Sequence, residues 1–385
     1  MRFRSTFATR RQDLGLLEKL ISINWGLILL ICAVASIGFA MQYSAAGGSM
    51  EPWAGRQMVR FGIGLVLMVV LAVVHLRWWF KLAYVLYAVA LILLVAVEVF
   101  GRIGMGAQRW LSIGFIQVQP TEVMKIGLVL VLARYFHGLQ AENIARLPYL
   151  IWPTFLALLP VLLVFKQPDL GSALLLLSVT GAMFFLAGVR IWKFVAVIIL
   201  AGAAMPLAWA RLRDYQKQRV LTFINPENDP LGSGYHIIQS KIALGSGGMW
   251  GKGFLQGTQS HLQFLPEKQT DFIFTMFAEE FGMAGGVVLV ALYALILVYG
   301  TMIALQAKSQ FGRLVAGGVM ATFWVYAFIN MAMVMGLLPV VGEPLPFVSY
   351  GGTALMALLI SFGLVINVYV HRDVWVGRHG IGDGK

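Results

Sequence analysis

The stretch MAGGVVLVALYALILVYGTMIAL, residues 283–305, decides the fold class, because its 23 residues include no charged side chain. About 20 such residues are enough to cross the hydrocarbon core of a bilayer as an α-helix. Similar apolar runs recur from Ile23 to Val370. Only helices and closed barrels satisfy every backbone polar group inside a membrane, and continuous apolar runs favour helices. The sequence therefore predicts an all-α, polytopic integral membrane protein.

The composition agrees with this fold class. The chain has 385 residues, of which 59% are hydrophobic and 12% charged, whereas a soluble domain carries about 25% charged residues. A net charge of +12 would suggest nucleic acid in a soluble protein. In a membrane protein, however, Lys and Arg are enriched in the cytoplasmic loops. We therefore expect no nucleic-acid partner.

The apolar runs divide the chain into about ten predicted transmembrane helices. They lie near residues 23–43, 58–75, 79–99, 119–136, 148–165, 171–188, 191–209, 283–305, 314–338 and 352–370. One long extracytoplasmic loop, 210–269, separates spans seven and eight. Residues 1–385 are predicted to form a single membrane domain with cytoplasmic tails at 1–22 and 371–385.

The distribution of basic residues predicts the orientation. One set of short loops and the C-terminal tail contains Arg77, Lys81, Arg146, Arg190, Lys193, Lys308, Arg313, Arg372, Arg378 and Lys385. The opposite short loops contain only Arg56, Arg102, Arg109 and Lys166, with Arg60 at a span edge. The more basic side is cytoplasmic, so both termini are predicted to lie inside. The cations of the 210–269 loop have no role in orientation, because long loops count little in this rule.

The glycine-rich segment GSGGMWGKG, residues 245–253, has two interpretations. It could cradle a phosphate, or it could belong to an amphipathic lid that lies on the membrane. A nucleotide P-loop would need glycine at Ser246 and Ser or Thr at Gly253. The segment therefore does not match the nucleotide-binding pattern.

Asp271 is the strongest candidate for chemistry in the outer loop. Thr270 or Asp271 could simply cap the helix that follows. Alternatively, Asp271 could be a general base at the membrane surface, where partial desolvation would raise its pKa. Glu279 and Glu280 lie roughly 12 Å further along a helix, beyond the about 5–9.5 Å that separates glycosidase carboxylates. A single carboxylate favours group transfer over hydrolysis.

Other polar residues lie close to predicted span ends. Glu122 and Lys125 share one face of span four, as either a structural ion pair or the lining of a cavity. Asp169 could cap span six. The outer-face cations could hold a lipid-linked pyrophosphate, although snorkelling to headgroups explains any one of them equally well. These cations are Arg109, Lys166, Arg211, Arg213 and Arg219.

The last outer loop contains Pro339, Pro344 and Pro346, which exclude regular helix. Its irregular backbone would be buried in protein or line a cavity.

Four blocks of the sequence resemble the SEDS family (shape, elongation, division and sporulation), and its rod-shape branch more than its division branch. The blocks are GAQRWLSIGFIQVQPTEVMK (106–125), KQPDLGSALLLL (166–177), the central segment 214–274 and GLLPVVGEPLPFVSYGGT (336–353). The resemblance implies a peptidoglycan glycosyltransferase that polymerises lipid II on the outer face of the bacterial inner membrane, for cell elongation and rod shape. It also implies undecaprenyl-linked lipid II and nascent glycan as substrates. The implied protein partners are a class B penicillin-binding protein and membrane proteins of the elongation complex.

The resemblance also implies roles for individual residues. The family's essential aspartate corresponds to Asp271, and its Glu and Lys of span four correspond to Glu122 and Lys125. Glu343, where an apolar residue is expected, and Ala354, where Ser is common, depart from the family pattern. The candidate catalytic residue is thus Asp271. The candidate substrate-binding or supporting residues are Arg109, Glu122, Lys125, Lys166, Arg211, Arg219, Lys241 and Ser349.

Two other functions remain open at this point. A lipid II flippase would suit polar groups within spans, but it needs a polar lining across the whole membrane, whereas the distinctive residues cluster outside. The chain could also be a non-catalytic scaffold of an elongation complex. No ligand cluster in the sequence demands a metal, although a divalent cation such as Mg²⁺ or Mn²⁺ could assist the departure of pyrophosphate.

Overall fold

The computed structural model describes residues 15–104, 107–113, 116–211, 217, 221–225, 233–262 and 267–377. Most of the predicted N-terminal tail, the end of the C-terminal tail and parts of the long outer loop therefore lie outside the described residues. Arg213 and Arg219, two of the cations proposed for pyrophosphate binding, lie outside them as well. The division into one domain with two tails stays a prediction.

The described residues are mostly helical, and a helix occupies each predicted span. These ten helices are α2 (Trp25–Ala45), α3 (Ala54–Val73), α4 (Leu76–Phe100), α5 (Pro120–His137), α7 (Pro148–Lys166), α8 (Leu170–Ala187), α9 (Ile191–Arg211), α12 (Ile273–Gln306), α13 (Gln310–Val334) and α14 (Gly352–Val370). Shorter helices are α1 (Leu16–Ile21), α6 (Ala141–Ile144), α10 (Ser233–Ser246) and α11 (Thr258–His261). Of the described helices, 8 are long and apolar enough to cross a membrane. The exact number of spans stays a prediction.

Helix α5 is not among those eight, and its surroundings explain why. It packs between α4, α8 and α13, so protein rather than lipid covers most of its surface. Glu122 and Lys125 are both buried there, at 4% and 3% exposure. A helix enclosed by other helices can carry charged side chains if each finds a partner. This helix brings ionisable groups into the interior of the bundle.

A small antiparallel sheet joins α4 to α5. Its strands are β1 (Arg102–Gly104), β2 (Ala107–Ile113) and β3 (Ile116–Val118), in the order β1–β2–β3. The sequence analysis did not predict this sheet, because each strand is too short for its alternation to stand out. The sheet matters for function because it places Arg109 in the middle of β2, next to the start of α8.

Helix α12 is broken at Gly282, which has φ 66° and ψ −165°. A break in a helix frees backbone groups that need new partners. The glycine segment 245–253 supplies them. It donates from Lys252 N to Glu279 O and from Gly253 N to Glu280 O, both at 3.0 Å. It accepts from Met283 N through Gly248 O at 2.9 Å. The amides of Lys252 and Gly253 are therefore paired with the broken helix and are not free to bind a phosphate. The predicted span 283–305 begins directly after the break.

Replacing Gly282 by Ala is expected to destabilise the protein strongly, by more than the ~1 kcal/mol typical of point substitutions. The positive φ disfavours any side chain, and a Cβ would lie 2.7 Å from the Met249 carbonyl. Gly286→Ala is the matched control, because a Cβ at that position of the same helix meets nothing within 4 Å. Thermal unfolding of both variants in detergent checks this prediction. Equal melting temperatures would contradict it.

Candidate active site

Asp271 lies in the turn that leads into α12, and its backbone is held by a side chain of the adjacent helix α13. The Asn330 side-chain amide donates to the Asp271 carbonyl at 2.9 Å and to the Glu343 carbonyl at 2.8 Å. Phe272 is the N-cap residue of α12, and no side chain caps the helix. The interpretation of Thr270 or Asp271 as a helix cap is therefore wrong, because the helix begins one residue too late for either to serve. The Asp271 carboxylate remains available for another role.

The last outer loop, residues 335–351, holds this turn in place. Ser349 Oγ donates to the Thr270 carbonyl at 2.6 Å and accepts from Leu345 N at 2.8 Å. Tyr350 N donates to the Gln269 carbonyl at 2.8 Å. Residues 345–349 of the loop are buried in protein, one of the two arrangements that the sequence left open, whereas Met335, Leu337 and Gly342 are exposed. The described contacts of the Ser349 hydroxyl are with backbone groups, which suits a supporting role better than direct substrate binding.

The environment of Asp271 favours a base that works near neutral pH. Asp271 is partly exposed as a residue, and a Cβ on the neighbouring Gly342 would lie 3.4 Å from its Oδ2. Burial and the nearby charge of Glu267 raise the pKa of Asp271, the charge of Arg109 lowers it, and the net result is a pKa of about 6. A carboxylate with this pKa is still ionised at pH 7 yet more basic than an exposed one.

Arg109 faces two carboxylates from β2. Its Nε lies 3.6 Å from Asp169 Oδ2, and its Nη2 donates to the Pro168 carbonyl at 2.8 Å. Its Nε is buried and makes no hydrogen bond among the described residues. Asp169 itself caps α8 by accepting from Ser172 N at 3.3 Å, as the sequence suggested. The guanidinium of Arg109 thus pairs with Asp169, and its charge also acts on Asp271.

Glu122 and Lys125 form the centre of a buried polar network. Lys125 Nζ donates to Glu122 Oε1 at 2.8 Å, and Tyr326 OH donates to both Glu122 oxygens at 2.8 Å. Lys125 also contacts Tyr326 OH and lies 3.6 Å from Glu343 Oε2. A cavity of about 20 Å³, enough for about one water molecule, adjoins Glu122, Lys125 and Tyr326. Both sequence interpretations of this pair, as ion pair and as cavity lining, therefore fit the structure.

The other described cations lie away from Asp271's immediate contacts. Lys166 pairs with Glu98 at 3.0 Å, and its side chain is 71% exposed. Arg211 is exposed at the end of α9. Lys241, on α10, is exposed and its side chain passes close to Gly336. Among the candidate cations that the structure describes, only Arg109 acts on the pKa of Asp271.

Sequence reasoning missed several residues that the structure brings into the site. Asn330 and Tyr326 lie inside an apolar span, where a polar side chain is a signal in itself. Glu267 lies in the central segment 214–274 and was given no role from the sequence, although its charge raises the pKa of Asp271. The Arg60 guanidinium lies 5.4 Å from the centre of the Tyr350 ring, so a second cation flanks the loop that supports Asp271. Among the described residues, no cluster of three or more His, Cys, Asp or Glu side chains could hold a metal ion.

Comparison with known proteins gives consistent matches over most of the chain. Residues 18–374 match the FtsW/RodA/SpoVE family, described as cell cycle proteins. The peptidoglycan glycosyltransferase MrdB of Escherichia coli K12 is 45% identical over 359 residues, covering 90% of this chain and 94% of that protein. The peptidoglycan glycosyltransferase RodA of Treponema pallidum is 31% identical, covering 89% and 96%.

Solved structures match the fold as well. A chain from a peptidoglycan synthase complex that coordinates polymerization and crosslinking has a TM-score of 0.80 and 34% identity, covering 91% of this chain and 98% of that one. The rod shape determining protein RodA of Thermus thermophilus has a TM-score of 0.69 and 32% identity, covering 91% and 97%. The family match over residues 18–374 includes every described residue of the site.

Proposed function

This chain belongs to the FtsW/RodA/SpoVE family, the SEDS family of its sequence resemblance, and is a multi-pass membrane peptidoglycan glycosyltransferase; we propose that it polymerises lipid II with Asp271 as the general base. The observation that carries the assignment of the base is that Asp271 is a partly exposed residue whose pKa is raised to about 6. We further propose that both termini are cytoplasmic and that Asp271 faces the outer surface, as the distribution of basic residues predicts.

The proposed reaction joins two lipid-linked substrates. The growing glycan, attached to undecaprenyl pyrophosphate, is the donor, and the 4-hydroxyl of the lipid II GlcNAc is the acceptor. Asp271 removes the proton from this hydroxyl as its oxygen attacks the anomeric carbon of the donor. The bond from that carbon to the pyrophosphate oxygen breaks, and undecaprenyl pyrophosphate leaves. Confinement of both lipids to one leaflet supplies much of the proximity that the reaction needs.

Arg109 is our first candidate to stabilise the leaving pyrophosphate. Its side chain is 29% exposed and its charge acts on Asp271, which suits an anion that forms next to the base. A planar guanidinium binds phosphate oxygens through paired hydrogen bonds. Lys166, Arg211, Arg219 and Lys241 remain further candidates for the pyrophosphate. Glu122, Lys125 and Ser349 are proposed to support the site from within the bundle.

Polymerisation of labelled lipid II by the purified full-length chain tests the proposed function. We expect glycan strands and released undecaprenyl pyrophosphate. We also propose that a class B penicillin-binding protein is the partner, because a matched structure comes from a complex that coordinates polymerization and crosslinking. Strand synthesis should therefore be measured with and without that partner. No strands in either case, together with movement of lipid II between leaflets of a vesicle, would favour the flippase instead.

The pH dependence of polymerisation is expected to report the charges around Asp271. The base must be ionised, so activity should fall as the pH drops through about 6. Glu267→Gln removes a charge that raises the pKa of Asp271 and should move this acid limb to lower pH. Arg109→Gln removes a charge that lowers it and should move the limb to higher pH. Arg109→Lys, which keeps the charge, should leave the limb near its original position.

Rates of lipid II polymerisation measured between pH 5 and 8, and normalised to the plateau of each variant, separate these shifts from changes in maximal rate. If the acid limbs of Glu267→Gln and Arg109→Gln shifted in the same direction, the proposed effects of these two charges on the pKa of Asp271 would be contradicted.

A further inference from the structure

Glu343 is the only charged residue between Met335 and Gly351, yet it is only 4% exposed. It occupies a position where the family resemblance predicted an apolar side chain. Burying a carboxylate is costly unless it gains partners. The partners of Glu343 therefore indicate what the residue does.

Three helices supply charged or polar groups that face the Glu343 carboxylate. From α5, Lys125 Nζ lies 3.6 Å from its Oε2. From the start of α8, Ser172 Oγ donates to its Oε1 at 3.0 Å. Glu122, Asp169 and Tyr326 complete the charged and titratable surroundings. The side chain thus connects the last outer loop to the interior of the bundle.

The backbone of the same residue is connected to Asp271. The Asn330 amide donates to the carbonyls of both Glu343 and Asp271, at 2.8 and 2.9 Å. The preceding residue, Gly342, has φ 80° and approaches the Asp271 carboxylate so closely that a Cβ there would lie 3.4 Å from Oδ2. A displacement of Glu343 would therefore be transmitted directly to the surroundings of the Asp271 carboxylate.

We propose that Glu343 is a positioning residue for glycosyl transfer: by binding Lys125 and Ser172 inside the bundle, it fixes the loop segment that packs against Asp271. This inference rests on the proposed role of Asp271 as the base. Where the family pattern predicts an apolar contact, this chain has an ionic contact between Glu343 and Lys125. That contact links the buried Glu122–Lys125 pair of α5 to the last outer loop.

Stability alone does not explain a carboxylate at this position. Burial raises the pKa of Glu343 to about 7, in spite of the opposing charge of Lys125. Because the folded-state pKa lies above the ordinary value, the charged form costs folding stability as the pH rises from about 4.5 to about 7. A neutral isostere should therefore fold at least as well at pH 7.5, and a loss of activity in it would report positioning.

The test uses Glu343→Gln in the full-length chain, with lipid II polymerisation as the assay. We expect kcat to fall about 5- to 20-fold while KM changes less than about twofold, since small misplacements of catalytic groups reduce rates strongly. The melting temperature at pH 7.5 should stay the same or rise. The acid limb of the kcat profile should move to lower pH, because a loosened loop admits water to Asp271 and reduces the desolvation that raises its pKa.

Two further variants sharpen the test. Glu343→Asp keeps the charge on a shorter side chain and should recover part of the lost kcat. Glu51→Gln, which neutralises an outer carboxylate that is 69% exposed, is the matched control and should leave kcat and the pH profile unchanged. If Glu343→Gln does not fold, Ser172→Ala decides instead, because it removes only the hydroxyl that binds Glu343.

The inference would be overturned if folded Glu343→Gln had the wild-type kcat and an unshifted pH profile. If Glu343→Gln does not fold, the same result in Ser172→Ala would overturn it. In that case, an inactive Asp271→Asn variant would still support Asp271 as the general base. Activity of Asp271→Asn would instead remove the proposed base, whatever the Glu343 variants do. The two failures are therefore distinguishable.

Discussion

Replacement of Asp271 by Asn is expected to reduce glycan synthesis by at least about 10²- to 10⁴-fold, the range that general-base catalysis typically contributes. Asparagine has nearly the same shape as aspartate but cannot accept a proton at neutral pH. The reaction would then lack a group to take the proton of the attacking hydroxyl. Product length and amount from labelled lipid II, resolved on a gel, measure the effect.

The same variant should remain folded, which separates loss of chemistry from loss of structure. The Asn330 amide binds the backbone carbonyl of residue 271, not its side chain. The pKa of Asp271 lies at about 6 instead of its ordinary 3.8, so its charged form costs stability above pH 6. The melting temperature of Asp271→Asn at pH 7.5 should therefore equal or exceed that of the wild type. Glu51→Gln serves again as the control carboxylate, and strand synthesis by folded Asp271→Asn would reject the assignment.

Replacement of Lys125 by Met is expected to have the largest effect on stability, about 3–5 kcal/mol, the typical cost of breaking a buried ion pair by removing one partner. Lys125 Nζ lies 2.8 Å from Glu122 and 3.6 Å from Glu343. Both carboxylates are at most 5% exposed in their side chains. Without the ammonium group they would face each other unneutralised. Thermal unfolding in detergent, followed by size-exclusion chromatography, measures the loss.

Two comparisons identify the cause of that loss. Lys308→Met removes a surface cation, since its side chain is 64% exposed beside Asp373, and should cost no more than about 1 kcal/mol. The triple variant Glu122→Gln, Lys125→Met, Glu343→Gln should recover much of the stability, because buried ionic groups can be replaced together at little cost. A Lys125→Met protein as stable as Lys308→Met would contradict a buried network that needs this cation.

The predicted spans depended on information that is local in the sequence. Each long helix of the bundle overlaps an apolar run of 18–25 residues that can be recognised from the sequence. The prolines at 339, 344 and 346 excluded a helix from the last outer loop. Asp271 was recognisable because a lone acid precedes a long apolar run and matches a family motif. The small sheet that contains Arg109 escaped prediction, because strands of three to seven residues carry little periodic signal.

The partners of each polar side chain were not local and could not be predicted. Gly282 shows this, because a sequence with three glycines at positions 282, 285 and 286 does not say which one breaks the helix. The answer depends on the glycine segment 245–253, whose amides and carbonyls pair with the broken turn. Glu343 looked like an exception to a family pattern, and only its distance to Lys125 gives it a role.

The sequence by itself determined that the chain is a multi-pass membrane protein and in which segments its long helices lie, and it predicted Asp271 as the candidate base. These properties follow from the transfer of consecutive side chains into lipid, which depends on neighbours along the chain. Only the tertiary structure decided that Arg109, Glu267 and Asn330 surround Asp271, and that Lys125 is shared between two acids. Hydrogen bonds and ion pairs act over a few ångströms in space, and residues that are 59 or 171 positions apart in the sequence meet only when the helices have packed.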